Sequence, residues 1–340
     1  MSVDMYDSRT MLAAMEEMFP PRTFLRDTFF RNTRTFTSKT VDVDVKKGGR
    51  RVAIYVDPKD KGHVNDRKGY TTKSYEAPYI KEQKVITPYD LLSRSPGQSI
   101  YDPQGPQARA AKALADDLTE LDEMVTRAEE IQACQGMFAG AITVRNGDTI
   151  SFGLAAAHNL ASNAGHTLWA SIAKTALLAQ LRGWRRLLVK DSGRSPTDII
   201  LGSDAADAFL KALDPDSGGG LTNLRVERGQ ITPSLLPNGV TYLGYFPELG
   251  VDVWSYDEYY HNGSTDVAMV PEKKMWMGSR NARFDRLYGV IQDMEALYAV
   301  SRFPRSWLEK DPSARMVEVQ SAPLLVPHEV DSFMVAAVIS

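Results

Sequence analysis

Apolar residues recur at three- and four-residue steps along one long stretch: Ala111, Leu114, Leu118, Leu121, Val125, Ala128 and Ile131. That spacing predicts one amphipathic helix from about Gln107 to Gln135. At 1.5 Å per residue it extends over roughly 43 Å. Asp116, Asp117, Glu120, Asp122, Glu123, Arg127, Glu129 and Glu130 fill the rest of its surface. The stripe suits a short coiled coil or, at least equally, packing along a sheet. Val41, Val43 and Val45 alternate with Asp42, Asp44 and Lys46, the period of a half-exposed strand. Lys46-Lys47-Gly48-Gly49-Arg50-Arg51 reads as the turn of a hairpin that returns through Val52–Val56.

Other segments carry similar signals. Thr10 to Phe19 predicts a short helix ended by Pro20-Pro21. Residues 57–80 are polar and basic with few large aliphatics, and 84–106 are turn-rich, with four prolines. Ala141–Val144 and Thr149–Phe152 flank Asn146-Gly147-Asp148, a hairpin signal. A helix is predicted from about Leu168 to Lys190, a buried strand at Asp198–Gly202, and a helix capped by Ser203 or Asp204 through Leu213. Gly239–Phe246, Val251–Tyr256 and Val267–Val270 read as strands, 275–340 as strands with polar turns, and the closing run Phe333–Ile339 as a buried strand. The pattern is α+β.

Residues 1–40 form an arm. Phe24, Leu25, Phe29, Phe30 and Phe36 lie between arginines with no room for a core of their own. Such a segment straps either its own subunit or a neighbour, and Phe24, Phe29 and Phe30 are candidate inter-subunit contacts. Lys46, Lys47, Arg50 and Arg51 crowd one turn and repel one another in isolation. They are candidate contacts to acidic surface on another subunit, with the acidic face of the long helix as one partner.

Composition narrows the classes. The chain has 340 residues, 43% hydrophobic and 24% charged, enough for a substantial core. A net charge of −3 and a pI near 6.0 argue against a dedicated nucleic-acid binder. Cys134 alone permits no intrachain disulfide, and no signal peptide or membrane-length apolar run is present. The five histidines (His63, His158, His166, His261 and His328) form no ligand pair, so neither metal nor cofactor is expected. Gly218-Gly219-Gly220 lacks the lysine and hydroxyl residue of a phosphate loop. Ser171-Ile172-Ala173-Lys174 has the SxxK spacing of acyl-serine enzymes, and Ser279-Arg280-Asn281 echoes their SxN element. No KTG or KSG follows, and SxxK arises readily by chance. The reading is not an enzyme, with a serine acyl enzyme through Ser171 and Lys174 as a remote alternative.

The ends of the chain carry a resemblance. Phe24-Leu25-Arg26-Asp27-Thr28-Phe29-Phe30-Arg31 is followed by Phe36-Thr37 and by Lys39 and Val41. Later come Met277-Gly278-Ser279-Arg280-Asn281-Ala282-Arg283, Gly289-Val290-Ile291-Gln292-Asp293, Phe303-Pro304-Arg305-Ser306-Trp307 and Asp311-Pro312-Ser313-Ala314-Arg315. Gln320-Ser321-Ala322-Pro323-Leu324, then Asp331 and Phe333, close the set. In this order and spacing they resemble the lambda-type major capsid proteins of tailed bacteriophages, most weakly over 140–230. The resemblance implies the HK97-like fold, named for phage Hong Kong 97. It implies an arm (1–40), an extended loop (41–80), a peripheral domain (81–160) with a spine helix, an axial domain (161–280) and a return to the peripheral domain (281–340). It further implies pentamers and hexamers closing into an icosahedral shell, assembled in the host cytoplasm, around double-stranded DNA that is not bound sequence-specifically. The implied partners are a separate scaffold protein, a portal protein and, in some shells, a decoration protein; no membrane is involved. An encapsulin-like nanocompartment is the alternative of the same fold. Some shells of this fold crosslink lysine to asparagine. Lys59, Lys61, Lys68 and Asn281 supply the residue types, but this family is not associated with that bond and none is expected.

Overall fold

The computed structural model describes residues 5–17, 23–38, 40–45, 71–92, 105–144, 148–162, 165–213, 239–294 and 299–340. In chain order the helices are Ser8–Glu17 (α1), Leu25–Thr28 (α2), Pro88–Leu92 (α3), Pro106–Phe138 (α4), Lys174–Asp191 (α5) and Ser203–Leu213 (α6). The strands are Asn32–Thr35 (β1), Thr40–Val45 (β2), Thr71–Glu76 (β3), Ile80–Ile86 (β4), Ala141–Thr143 (β5), Thr149–Ser151 (β6), Asn159–Leu160 (β7), Asp198–Leu201 (β8), Val240–Phe246 (β9), Val251–Tyr256 (β10), Tyr259–His261 (β11), Asp266–Ala268 (β12), Lys274–Gly278 (β13), Phe284–Tyr288 (β14), Phe303–Lys310 (β15), Ser313–Ser321 (β16), Pro323–Pro327 (β17) and Phe333–Ala337 (β18).

The central sheet has the order β7-β18-β13-β8-β10-β9. Side chains alternate between its faces, and each face feeds a different core. Ile199, Leu201, Met275, Met277, Met334 and Ala336 join the buried faces of α5 and α6. Ile200, Trp276, Phe333 and Val335 point the other way, toward the arm, the end of α4, β14 and β17. This sheet is covered on both faces, which explains why β8 has no polar–apolar alternation after Asp198. The closing run of the chain is one of its strands, so β18 shares a sheet with elements of 161–280.

The stripe of α4 lies on a sheet. Leu114, Leu118, Leu121 and Val125 pack with Ile86, Val317 and Val319 of the sheet β15-β16-β4, and Met11 and Met15 of α1 close the same cluster. Burying each such side chain stabilises the fold by about 1.5–3 kcal/mol. Gly140, with φ of 66°, turns the chain just past the end of α4, a conformation that glycine adopts without a Cβ penalty.

Local periodicity predicts several elements closely: α4, the β5–β6 hairpin, β8, α6, β9, β10 and β18. β2 pairs with β3, in register from Thr40 opposite Glu76 to Val45 opposite Thr71. The return strand expected at Val52–Val56 falls within 46–70, outside the described residues. One expectation is corrected. The helix expected from Leu168 begins at Lys174; before it Trp169–Ser171 forms a single 3-10 turn, followed by extended backbone at Ile172 and Ala173.

Candidate assembly surface

The arm is tied to its own subunit at the head of α2. The backbone amides of Phe24, Leu25 and Arg26 donate to the Glu130 carboxylate at 3.1, 2.7 and 2.8 Å. A helix start leaves such amides without intrahelical partners, and a carboxylate reaching in from α4 satisfies them. The Tyr256 hydroxyl donates to the same carboxylate at 3.1 Å. On the adjacent residue, Glu129 accepts from Arg302 at 2.6 Å, Arg26 at 2.9 Å and the Tyr288 hydroxyl at 3.0 Å. Arg302 also reaches Asp122 at 2.6 Å and Thr126 Oγ1 at 3.1 Å. Arg286 donates to the carbonyl oxygens of Phe30 at 2.9 Å and Arg26 at 3.3 Å.

Glu129 and Glu130 are neighbours in sequence, and their surroundings push their acidities apart. Burial opposes charge on both. At Glu129 the guanidinium groups of Arg302 and Arg26 outweigh it and hold the carboxyl below its usual range. At Glu130 burial wins over the amide and hydroxyl donors and raises the carboxyl to about 6. Tyr288 is pushed up to about 12, first by burial and then by Glu129. Residue type hides this clamp, because glutamates on a long helix read as solvent-facing; these two are 0% and 1% exposed. Glu129 falls four residues after Val125, on the continuation of the apolar stripe, and that spacing is the available signal.

Phe24, Phe29 and Phe30 are 4%, 3% and 0% exposed and pack into their own chain, beside Trp254, Tyr256, Trp276 and Phe284. Within this chain the three rings pack on its own core, and β1 adds in parallel to β14. Lys46, Lys47, Arg50 and Arg51 lie outside the described residues, as do Lys59, Lys61 and Lys68. Of the acidic residues on α4, Asp122, Glu129 and Glu130 serve the interior, and Asp117 and Glu120 meet Lys84 of β4.

What remains open lies elsewhere. β2 and β3 pair with each other alone among the described strands, so both outer edges of this ribbon are unpaired there. Among the described residues its base is anchored through Val41 and Tyr75. On the sheet β15-β16-β4, Val85, Met316 and Trp307 stand in register across three strands on the face away from α4. Val85 is exposed, Trp307 and Met316 are half-buried, and Arg305 lies 5.1 Å from the Trp307 ring centre. The short helix α3 exposes Tyr89 and Leu92.

Ser171 closes a 3-10 turn and Lys174 opens α5, so the pair does not share the single helical turn that the SxxK spacing predicts. Among the described residues no three His, Cys, Asp or Glu side chains are placed to hold a metal ion. Cys134 is buried, and its thiol donates to the Met269 carbonyl at 2.9 Å.

The fold is that of a phage capsid subunit. A prophage capsid protein of Escherichia coli CFT073 superposes with a TM-score of 0.74 at 18% identity, covering 98% of this chain and 99% of that one. The capsid subunit of cyanophage A-1(L) superposes at 0.52 and 15% identity, covering 95% and 94%. The chain belongs to the family of phage major capsid protein E, whose profile matches residues 7–338. The major capsid protein of Escherichia phage lambda is 25% identical over 351 aligned positions, which cover 98% of each chain. That of Enterobacteria phage P21 is 25% identical over 358, covering 98% of this chain and 99% of the relative. The expected lambda-type resemblance and the HK97-like α+β fold are thereby borne out.

Proposed function

We propose that this chain assembles into pentamers and hexamers that close an icosahedral phage head around double-stranded DNA. The observation that carries the reading is the extent of the family match: it includes the arm, both strands of the ribbon and the final strand, not a core domain alone. A ribbon with two open edges gains hydrogen bonds and burial when copies meet, whereas in an isolated subunit such edges invite uncontrolled pairing. Rings follow from head-to-tail contacts that close by rotation. The division into arm, extended loop, peripheral and axial domains belongs to the same reading. So do a scaffold, a portal, a decoration protein, assembly in the host cytoplasm and the absence of catalysis. The test is the content of particles purified from infected or expressing cells. Nuclease-protected duplex DNA in particles from infected cells is the expected result. Protein cargo with no protected DNA would overturn the DNA-enclosing part and favour a nanocompartment.

A further inference from the structure

The helix α5 has two faces of opposite character. Leu177, Leu181, Trp184 and Leu188 are buried against the central sheet and α6. The reverse face carries Arg182, Arg185, Arg186 and Lys190. These four cations border an open groove of about 450 Å³ completed by Val189, Ser195 and Glu248. Arg182 is held by Glu248 at 2.7 Å. Among the described residues Arg185, Arg186 and Lys190 make no salt bridge. Four positive charges against one negative is a local excess in a chain whose net charge is −3.

We propose that this groove is a seat for the phosphate backbone of duplex DNA, read without regard to sequence. The inference rests on the reading of the chain as a shell around DNA and adds the surface that touches it. Arg182, Arg186 and Lys190 follow one another at four-residue steps, a rise of about 6 Å each. Their row of about 12 Å covers the axial rise of roughly four consecutive phosphates of one strand, at about 3.4 Å of helix axis per step. An acidic protein segment would use the same charges, but protein interfaces are built around apolar or aromatic anchors. Here Val189 is the sole apolar lining residue among the described residues, and it is half-buried. Surfaces for DNA are polar and strongly positive, as this one is.

The test uses the full-length chain, unassembled, and a short fluorescent duplex of mixed sequence titrated between about 50 and 200 mM salt. The parent should bind with steep salt dependence. R185E/R186E/K190E should bind about tenfold or more weakly at the low-salt end, with a log–log salt slope flatter by about three units, one for each phosphate no longer neutralised. R185K/R186K/K190R should bind as the parent does. Thermal unfolding checks that the reversed variant folds; if it does not, R186E alone should flatten the slope by about one unit. Equal binding and equal slope in a folded reversed variant would overturn the proposal. So would polyglutamate displacing the duplex better than unlabelled duplex of equal charge, which would assign the groove to an acidic protein segment. Electron microscopy of a separate portion of the full-length chain preparation, supplied with its scaffold after the titration of the unassembled portion, keeps the two claims apart. Shells without duplex binding by the parent overturn the groove alone, and binding without shells overturns the shell reading alone.

Discussion

The arm and the ribbon are neighbours in sequence and opposites in how they are held. From Thr23 to Phe30 the apolar rings and helix-start amides of the arm meet partners inside their own chain, Glu130, Arg286 and the aromatic cluster, and β1 then pairs along one edge with β14. The ribbon's strands β2 and β3 have, among the described strands, only each other, with Val41 and Tyr75 as their hold on the core. The difference separates two ways in which a segment looks unsatisfied from its sequence. Apolar side chains without a local core, as in the arm, find burial at long range in the same subunit. A paired ribbon with open backbone edges does not among the described residues, and under the proposed function its further partner is another copy.

The sharpest way to break the arm's side of this comparison is at Arg302. Its removal leaves Glu129 ionised and buried with one guanidinium fewer. R302A should lower unfolding stability by about 3–5 kcal/mol in denaturant titrations of unassembled subunits. A loss below about 1 kcal/mol would mean that the clamp is not what holds the arm. A smaller effect is expected from Glu130, whose carboxyl is raised from 4.5 to about 6. The folded state binds this proton more readily than the unfolded one. Its contribution to stability is therefore complete below about pH 4.5 and lost as pH rises through about 6, amounting to roughly 2 kcal/mol. Glu129, held below its usual range, acts in the opposite sense: its contribution is present above its unfolded value and lost as pH falls through the folded one. E130Q should flatten the stability profile between about pH 4.5 and 6 and leave the acid loss from Glu129 in place. An unchanged profile would remove Glu130 from the account.

The ribbon's side is tested by the cations that follow β2. K46E/K47E/R50E/R51E should change subunit stability by no more than about 0.5 kcal/mol, the range of surface substitutions away from packed features. Shell closure should weaken, more at low salt than at high, because each exposed ion pair contributes only about 0–1 kcal/mol and screening erodes it. Assembly equal to the parent at low salt would show that these charges play no part.

Local periodicity makes much of this legible. Four- and three-residue steps locate α4, and alternation locates β9 and β10, because side-chain burial there follows the element's own geometry. What stays hidden depends on partners distant in sequence. β4 reads Ile-Lys-Glu-Gln-Lys-Val-Ile and conceals a strand, since its inward Lys84 is accommodated by Asp117 and Glu120 of α4. The pairing of β2 with β3, across 25 intervening residues, is set by a register that no local pattern encodes. The clamp is masked by residue type: a glutamate on a long helix looks solvated until Arg26, Arg302 and Tyr288 converge on it. The basic face of α5 reads in the sequence simply as part of a leucine-rich helix, because its meaning depends on the groove beside it.

The central claim is that a subunit complete in its own core nonetheless exists to be one of many. Electron microscopy of the purified full-length chain, supplied with its scaffold and concentrated, tests it most directly. The account predicts pentameric and hexameric rings and closed icosahedral shells. A field of monodisperse monomers under those conditions would contradict it.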